Sequence, residues 1–465
     1  MQQRQKISLF LAAVTLLAAC GSEDKPPRVP TPSAIGDTPY TSTYKAMPTQ
    51  VTLIRNATVL TGEGARIDGG SVLMADGKIL AVGAQVEAPA DALVIEAGGK
   101  WVTPGIIDNH SHLGVYASPG VVATSDGNEI SGANTAEVWA EHAVWPQDQG
   151  FNTARAGGVT VLQVLPGSAN LFGGRGVTLK NVPSRTMEGM KFPGAPQGLK
   201  MACGENPKRV YGEKGGPYSR MGNVAGYRKA WVKAAAYKQK WDDYEDGKGD
   251  TPPERDLQLD TLMGVLNGEI LVHNHCYRAD EMVVMLDVAK EFGYKIASFH
   301  HAVEAYKIAD VLAESGTCAA MWADWWGFKM EAFDGIRENI ALVDKAGACA
   351  IVHSDSEVGI QRLNQEAAKA MGAANRVGMG ITPEHAWTWL SLNPARSLGI
   401  AELTGSLVPG KNADLVLWNG NPFSVYSKAE KVYVDGALVY DLNDPAYQAE
   451  SDFVLGSLDL EGDTQ

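Results

Sequence analysis

Several things are missing from this chain, and each absence narrows its reading. There is no run of Lys or Arg and the formal net charge is −14, so the basic footprint of a nucleic-acid partner is lacking. There is no Gly-x-Ser-x-Gly elbow, and no Ser or Cys carries the flanking residues of a covalent nucleophile. Cysteine is scarce, with five in 465 residues. The spacing of Cys203, Cys276, Cys318 and Cys349 fits no cysteine-based zinc site, and three of these lie in apolar strand-like runs, which favours buried free thiols, with pairing in an oxidising compartment as the alternative. The one long apolar run, residues 7–19, is too short for a comfortable membrane span. Residues 51–102 show no helical period of ten residues; they alternate short apolar runs with Gly-rich turns, the pattern of β-strands.

What is present starts with an address. Arg4 and Lys6 precede the apolar run, which ends Leu17-Ala18-Ala19-Cys20-Gly21-Ser22. This resembles a bacterial lipobox, in which Cys20 becomes the lipidated first residue; a plain secretory signal with a chance cysteine is the alternative. The expectation is a signal at 1–20, a Pro/Ser/Thr-rich disordered tether at 21–49, and a lipoprotein of the cell envelope. It would be anchored in the outer membrane of a Gram-negative bacterium, facing the periplasm or the surface, with membrane contact only through that anchor.

After Pro104 the pattern changes. Strand-like segments at 106–110, 158–164, 176–180, 198–202, 270–275, 295–299, 317–322 and 348–352 recur, preceded by Gly and followed by polar tips. Helical stretches separate the later ones, as at 281–292, where Asp280 caps the start and Gly293 ends it. Eight such units over 104–398 predict an α/β fold, a (β/α)8 TIM barrel with parallel strands. An insertion at 211–257, with a charged helical stretch at 227–244, is expected to roof its mouth. β character returns after residue 405, so 50–103 and 399–445 are read as one small β-sandwich domain built from both chain ends. An acidic tail at 446–465 is expected to be loose.

Barrel enzymes place their chemistry at the C-terminal ends of the strands. The polar tips there are His110 and His112, Lys200, His275, His301 and Asp355. Residues i and i+2 of a strand share a face, so His110 and His112 both look into the mouth. Four imidazoles, a lysine and a carboxylate at one mouth point to a metal site.

These residues sit in motifs that together resemble the amidohydrolase superfamily, in its branch of imidazolonepropionase-like and Xaa-Pro or Xaa-Arg dipeptidase-like proteins. The motifs are Thr103-Pro104-Gly105-Ile106-Ile107-Asp108-Asn109-His110-Ser111-His112, Gly204-Glu205-Asn206-Pro207-Lys208-Arg209, His275-Cys276-Tyr277-Arg278-Ala279-Asp280, His301-Ala302-Val303-Glu304-Ala305-Tyr306-Lys307, Ser354-Asp355 and Asn393-Pro394-Ala395. The resemblance covers about residues 50–445. It implies two divalent metal ions, with Zn2+ expected. His110, His112 and Asp355 would bind one and His275 and His301 the other. Lys200, carboxylated by CO2 to a carbamate, would bridge them, with Glu205 as the rival bridge. Asp355 would also move protons while metal-activated hydroxide attacks a C–N bond. His273, His300 and His353 are read either as groups orienting ligands or as satisfied core residues.

Arg175, Arg209, Tyr211, Tyr277 and Arg278 lie near strand ends, where arginines could clamp a carboxylate. Trp322, Trp325 and Trp326 form an aromatic wall or a packing cluster. The substrate expected is a small molecule, a dipeptide or an N-acyl amino acid; a cyclic amide of imidazolone type is the alternative. A catalytically silent barrel lipoprotein serving as a binding or scaffold protein is the reading from another class. The oligomeric state stays open, a homo-oligomer included.

Overall fold

The structure, a computed structural model, describes residues 29–33 and 40–447. The lipobox with Cys20, about half of the tether (21–28 and 34–39) and nearly all of the tail lie outside the described residues. Among those described, no helix is long and apolar enough to cross a membrane.

Both ends of the chain build the smaller domain. Its eight-stranded sheet runs Ala437–Asp441, Ala429–Val434, Leu415–Trp418, Trp101–Pro104, Thr52–Leu60, Arg66–Ala75 and Lys78–Gly83, with Leu93–Glu96 also paired to Thr52–Leu60. The join between the two chain ends is antiparallel, with Trp101 opposite Trp418 and Pro104 opposite Leu415. Ile54, Val59, Val72, Ile79, Val102, Leu415 and Tyr433 fill its core. Residues from Tyr40 onward pack against both domains and are not a free tether. The Tyr44 hydroxyl donates to Asp435 at 2.6 Å, and the Tyr40 ring packs edge-on against Trp139 at 5.4 Å.

Eight further strands form the barrel: Ile106–Ser111, Val159–Val164, Phe172–Lys180, Gln197–Ala202, Ile270–Cys276, Ile296–His301, Cys318–Met321 and Ala350–Val352. The first enters through Gly105, where a Cβ would sit 2.0 Å from the Thr160 hydroxyl oxygen; only glycine fits this motif position. Strands four to eight are parallel, as are one and two. The third strand corrects the sequence reading. It starts at Phe172 and runs antiparallel to both neighbours. Only residues 165–171 separate it from the second strand, and a parallel crossover needs a dozen residues or more.

Two hairpins therefore replace two βα units, and they leave the outer face of the third strand without a helix of its own. The insertion supplies one. Its helix, Arg220–Glu245, buries Tyr227, Trp231, Ala234, Tyr237, Trp241 and Tyr244, a stripe recurring every three or four residues. The Trp231 ring packs on Phe172 of the third strand and on Tyr294. The insertion thus lines the barrel's flank and does not roof its mouth.

The seam between strands eight and one is closed by polar groups. The Asp355 N–H donates to the His110 carbonyl at 3.1 Å and the Ser354 N–H to Asp108 Oδ1 at 3.3 Å. The Ser354 hydroxyl donates to the other Asp108 oxygen. At the opposite end, Ile107, Val161, Phe192, Ala395, Leu398 and Ile400 form an apolar floor. Asn393 pins that floor to the eighth strand through the Ala350 carbonyl at 2.8 Å, which gives the Asn393-Pro394-Ala395 motif a structural role.

The cysteines also differ from expectation. Cys203 is joined to Cys276, and Cys318 to Cys349. Strand pairing explains why. Ala202 lies opposite His275 and Ala319 opposite Ala350, so each cysteine meets its partner on the adjacent strand. Burial judged one cysteine at a time cannot reveal such pairs.

Candidate metal centre

Lys200, His110, His112, His275, His301 and Asp355 converge at the C-terminal end of the barrel. His110 Nε2 and His112 Nε2 are 3.3 Å apart, and Asp355 Oδ1 lies 3.2 Å from the first and 3.1 Å from the second. Lys200 Nζ reaches His110 Nε2 at 3.3 Å. His301 Nδ1 is 3.7 Å from Asp355 Oδ2, and the His275 and His301 rings are 4.7 Å apart. His301 and Asp355 both hold positive φ, +71° and +54°, a left-handed backbone that non-glycine residues adopt at a cost. Both lie at strand tips, where this turn aims the side chain back over the barrel axis.

The donor set fits a cation. His112 Nδ1 lies 2.8 Å from the Leu165 carbonyl, which can only accept, so a neutral His112 ring presents the lone pair of Nε2. That lone pair faces a second imidazole nitrogen and a carboxylate oxygen, a crowding of acceptors that a metal ion would resolve. Burial holds the imidazoles of His110, His275 and His301 well below their ordinary pKa, which keeps them neutral and able to ligate. The Nδ1 atoms of His275 and His301 are buried without a hydrogen-bond partner. Burial opposes ionisation of Asp355, yet the imidazoles of His301 and His112 beside it keep its carboxyl well below the usual carboxylate range.

Burial also brings the Lys200 ammonium down to about 7. A partly neutral amine inside a metal pocket is the species that reacts with CO2. Glu205, the rival bridge, opens the helix Glu205–Tyr211 beyond the fourth strand and reaches Lys329 at 3.4 Å, outside the barrel interior.

Below the ligands lies a further layer of imidazoles. His273 Nδ1 and His300 Nε2 are 2.9 Å apart, and the His300 ring sits 4.6 Å from that of His110. His353 Nε2 accepts the His301 N–H at 3.2 Å, fixing the ligand's backbone. Ring nitrogens of His110, His300 and His353 come within 4.8 Å of one another.

The candidate substrate residues divide. Arg175 lies opposite Leu199 on the outer face, where its guanidinium donates to Thr261 at 2.7 Å and Gln197 at 2.8 Å; it does not enter the mouth. Arg278 is paired with Asp280 at 3.0 Å. The Tyr211 hydroxyl accepts from Asn170 at 2.7 Å inside a loop network. Tyr277 does line the mouth, its ring 4.6 Å from His275 and 5.4 Å from His301. Arg209 is exposed on the helix beside it.

Trp322 stacks on His301 at 4.4 Å and donates its indole N–H to the Ser354 carbonyl at 3.1 Å. The loop that follows it crosses to the fourth strand. There Lys329 bonds Asn206 Oδ1 at 2.9 Å, and a Glu331 carboxylate oxygen accepts the Glu205 N–H at 2.9 Å. Sequence reasoning passed over Lys329, Glu331 and Asn206's role. Asn206 stood inside a quoted motif, and only the loop's position after the seventh strand hinted at the others.

A barrel with this cluster of candidate ligands at its mouth and a composite β domain at its side is the architecture of a class of hydrolase. The amidohydrolase family model matches residues 101–448. The chain belongs to the amidohydrolase family, whose members hydrolyse carbon–nitrogen bonds. It is 36% identical to an amidohydrolase from Thermotoga maritima MSB8 of known structure, with a TM-score of 0.77 over 84% of this chain and 100% of that one. It is 32% identical to the amidohydrolase tasK of Hapsidospora irregularis over 87% of this chain, and it spans only 45% of that protein's length. An imidazolonepropionase from Shewanella sp. (strain ANA-3) is 27% identical over 76% of this chain and 87% of its own.

Proposed function

We propose that the protein is a metal-dependent hydrolase cleaving the amide bond of a small substrate, a dipeptide or N-acyl amino acid. The observation that carries this is the convergence of His110, His112, Lys200 and Asp355 within 3.3 Å contacts, with His275 and His301 alongside. Two divalent ions, Zn2+ by the imidazole-rich donor set, would supply an activated water and polarise the scissile carbonyl. Lys200, made partly neutral by burial, would add CO2 through Nζ with loss of a proton, giving a carbamate that would help His110, His112, His275, His301 and Asp355 hold the metal. Asp355, kept ionised, would accept the proton of the attacking water and pass it to the leaving nitrogen. Tyr277 and Trp322 would form an apolar wall. The imidazolonepropionase relatives favour a cyclic amide as the second reading.

The test is metal analysis joined to hydrolysis of a panel of dipeptides, N-acyl amino acids and cyclic amides. Activity abolished by chelator and restored by Zn2+ with bicarbonate is expected. Purified protein that stays metal-free and inactive after such reconstitution would instead support a scaffold role. The lipobox-like segment is proposed to anchor the protein to an outer membrane. Two disulfides support export to an oxidising compartment; Cys20→Ala should release the protein from membranes on fractionation.

A further inference from the structure

The loop between the seventh strand and the helix Asn339–Lys345 carries a cation that the hydrolytic scheme does not use. Lys329 is 19% exposed at its side chain, and its Nζ lies 4.3 Å above the Tyr277 ring. One donor goes to Asn206 Oδ1 at 2.9 Å, and Glu205 Oε1 is more distant at 3.4 Å. The amide nitrogen of the same Asn206 stands 3.4 Å from His275 Nε2. A single carboxamide therefore separates the ammonium from a candidate metal ligand. Arg209, on the helix that starts at Glu205, has no hydrogen bond or ion pair among the described residues and adds positive charge nearby.

We propose that Lys329 is the anchor for an anionic group of the substrate, the carboxylate one residue beyond the scissile carbonyl. The spacing suits this. Successive α-carbons lie about 3.8 Å apart, so a carbonyl held at the metal centre places the next carboxylate over Tyr277. The ammonium has three donors, and its contact with Glu205 is the loose one. A substrate carboxylate takes the free direction and competes with Glu205 for the charge. This assignment rests on the proposed hydrolysis of N-acyl amino acids and names the group that those substrates present.

Lys329 also ties the loop to the fourth strand, so its loss alone would not separate anchoring from loop positioning. The test therefore compares an N-acyl amino acid with its own carboxamide in the full-length protein. Lys329→Gln should lower the acid-over-amide ratio of kcat/KM by about 10- to 100-fold, the worth of one charge-assisted hydrogen bond, mostly through KM. Lys329→Arg should restore part of it. Glu205→Gln, which removes the competing carboxylate, should tighten the acid selectively by a few-fold; a loop latch would predict weaker binding of both.

Calorimetric binding of the same pair to chelator-treated protein reads the contact without catalysis. Equal losses for acid and amide in Lys329→Gln, or Glu205→Gln weakening both, would overturn the assignment while leaving the hydrolase reading intact. Acid-selective binding that depends on Lys329 without hydrolysis after metal loading would uphold the anchor and sink the hydrolase reading.

Discussion

The two halves of the barrel solve the same problem differently. Strands five to eight are parallel and, up to the eighth, joined through helices; they deliver His275, His301 and Asp355 from the tips of the fifth, sixth and eighth. Strands one to four deliver His110, His112 and Lys200, but two hairpins replace two helical crossovers, and a helix from the insertion covers the face left bare. In the regular half a residue's place follows from its position on a repeating unit. In the irregular half it follows from register, which is why Lys200 points inward while Arg175, on the neighbouring strand, points out.

The sharpest way to probe this difference is Lys200→Ala. It should release one metal ion per chain and cut kcat/KM by about 100-fold or more, above the range seen when only a ligand's support is lost. Short carboxylic acids should partly restore activity. Glu205→Ala should keep both metals, as read by elemental analysis; metal loss in that variant instead would move the bridge out of the irregular half's interior.

Next in size, Trp231→Ala should destabilise the fold by roughly 3–5 kcal/mol in chemical denaturation, since its fully buried indole packs the insertion helix onto Phe172 of the third strand. A loss below about 1 kcal/mol would show that the insertion is an appendage.

Each disulfide spans neighbouring strands, across 73 residues for Cys203–Cys276 and 31 for Cys318–Cys349. Breaking either by Cys→Ser pairs should cost about 2–4 kcal/mol. Only the Cys203–Cys276 pair, next to His275, should also speed metal loss to a chelator. Equal metal retention in both variants would remove that distinction.

The smallest effect concerns Glu281, on the helix Ala279–Phe292. Burial, reinforced by Glu331, raises its pKa from 4.5 to about 7. Below pH 4.5 the carboxyl is protonated folded or unfolded and carries no penalty. Between 4.5 and 7 the unfolded chain releases the proton and the folded one keeps it, so stability falls as pH rises, then levels off. Glu281→Gln should match wild type near pH 4.5 and exceed it by about 2 kcal/mol at pH 8, measured by urea melts. A constant offset across pH would contradict the cause given.

Much of this was legible in the sequence because the signals repeat. Gly-strand-polar-tip units located all eight barrel strands, and the alternation of strand faces paired His110 with His112. The third strand's direction was not legible from its composition, because apolar runs do not encode polarity; only the short 165–171 link did. The disulfides depend on which strands lie side by side, a property of two segments at once. Lys329 sits in a loop with no periodicity, and its place over Tyr277 follows from Glu331 and Asn206 fastening that loop to the helix Glu205–Tyr211, some 120 residues earlier.

The strand Trp101–Pro104 pairs with Leu415–Trp418, and the seam of the barrel waits for Ser354 and Asp355. During synthesis, then, the growing polypeptide carries an open sheet edge and an incomplete set of candidate ligands for more than 240 residues of elongation, from His112 to Asp355. The barrel, whose last strand ends at Val352 and whose floor ends at Ile400, can close before the smaller domain receives Leu415–Trp418, and a product truncated between them is left with that sheet incomplete. The C-terminal strands thus act as a completeness check: a chain interrupted just before them should be recognised by proteases through the open edge of the smaller domain's sheet.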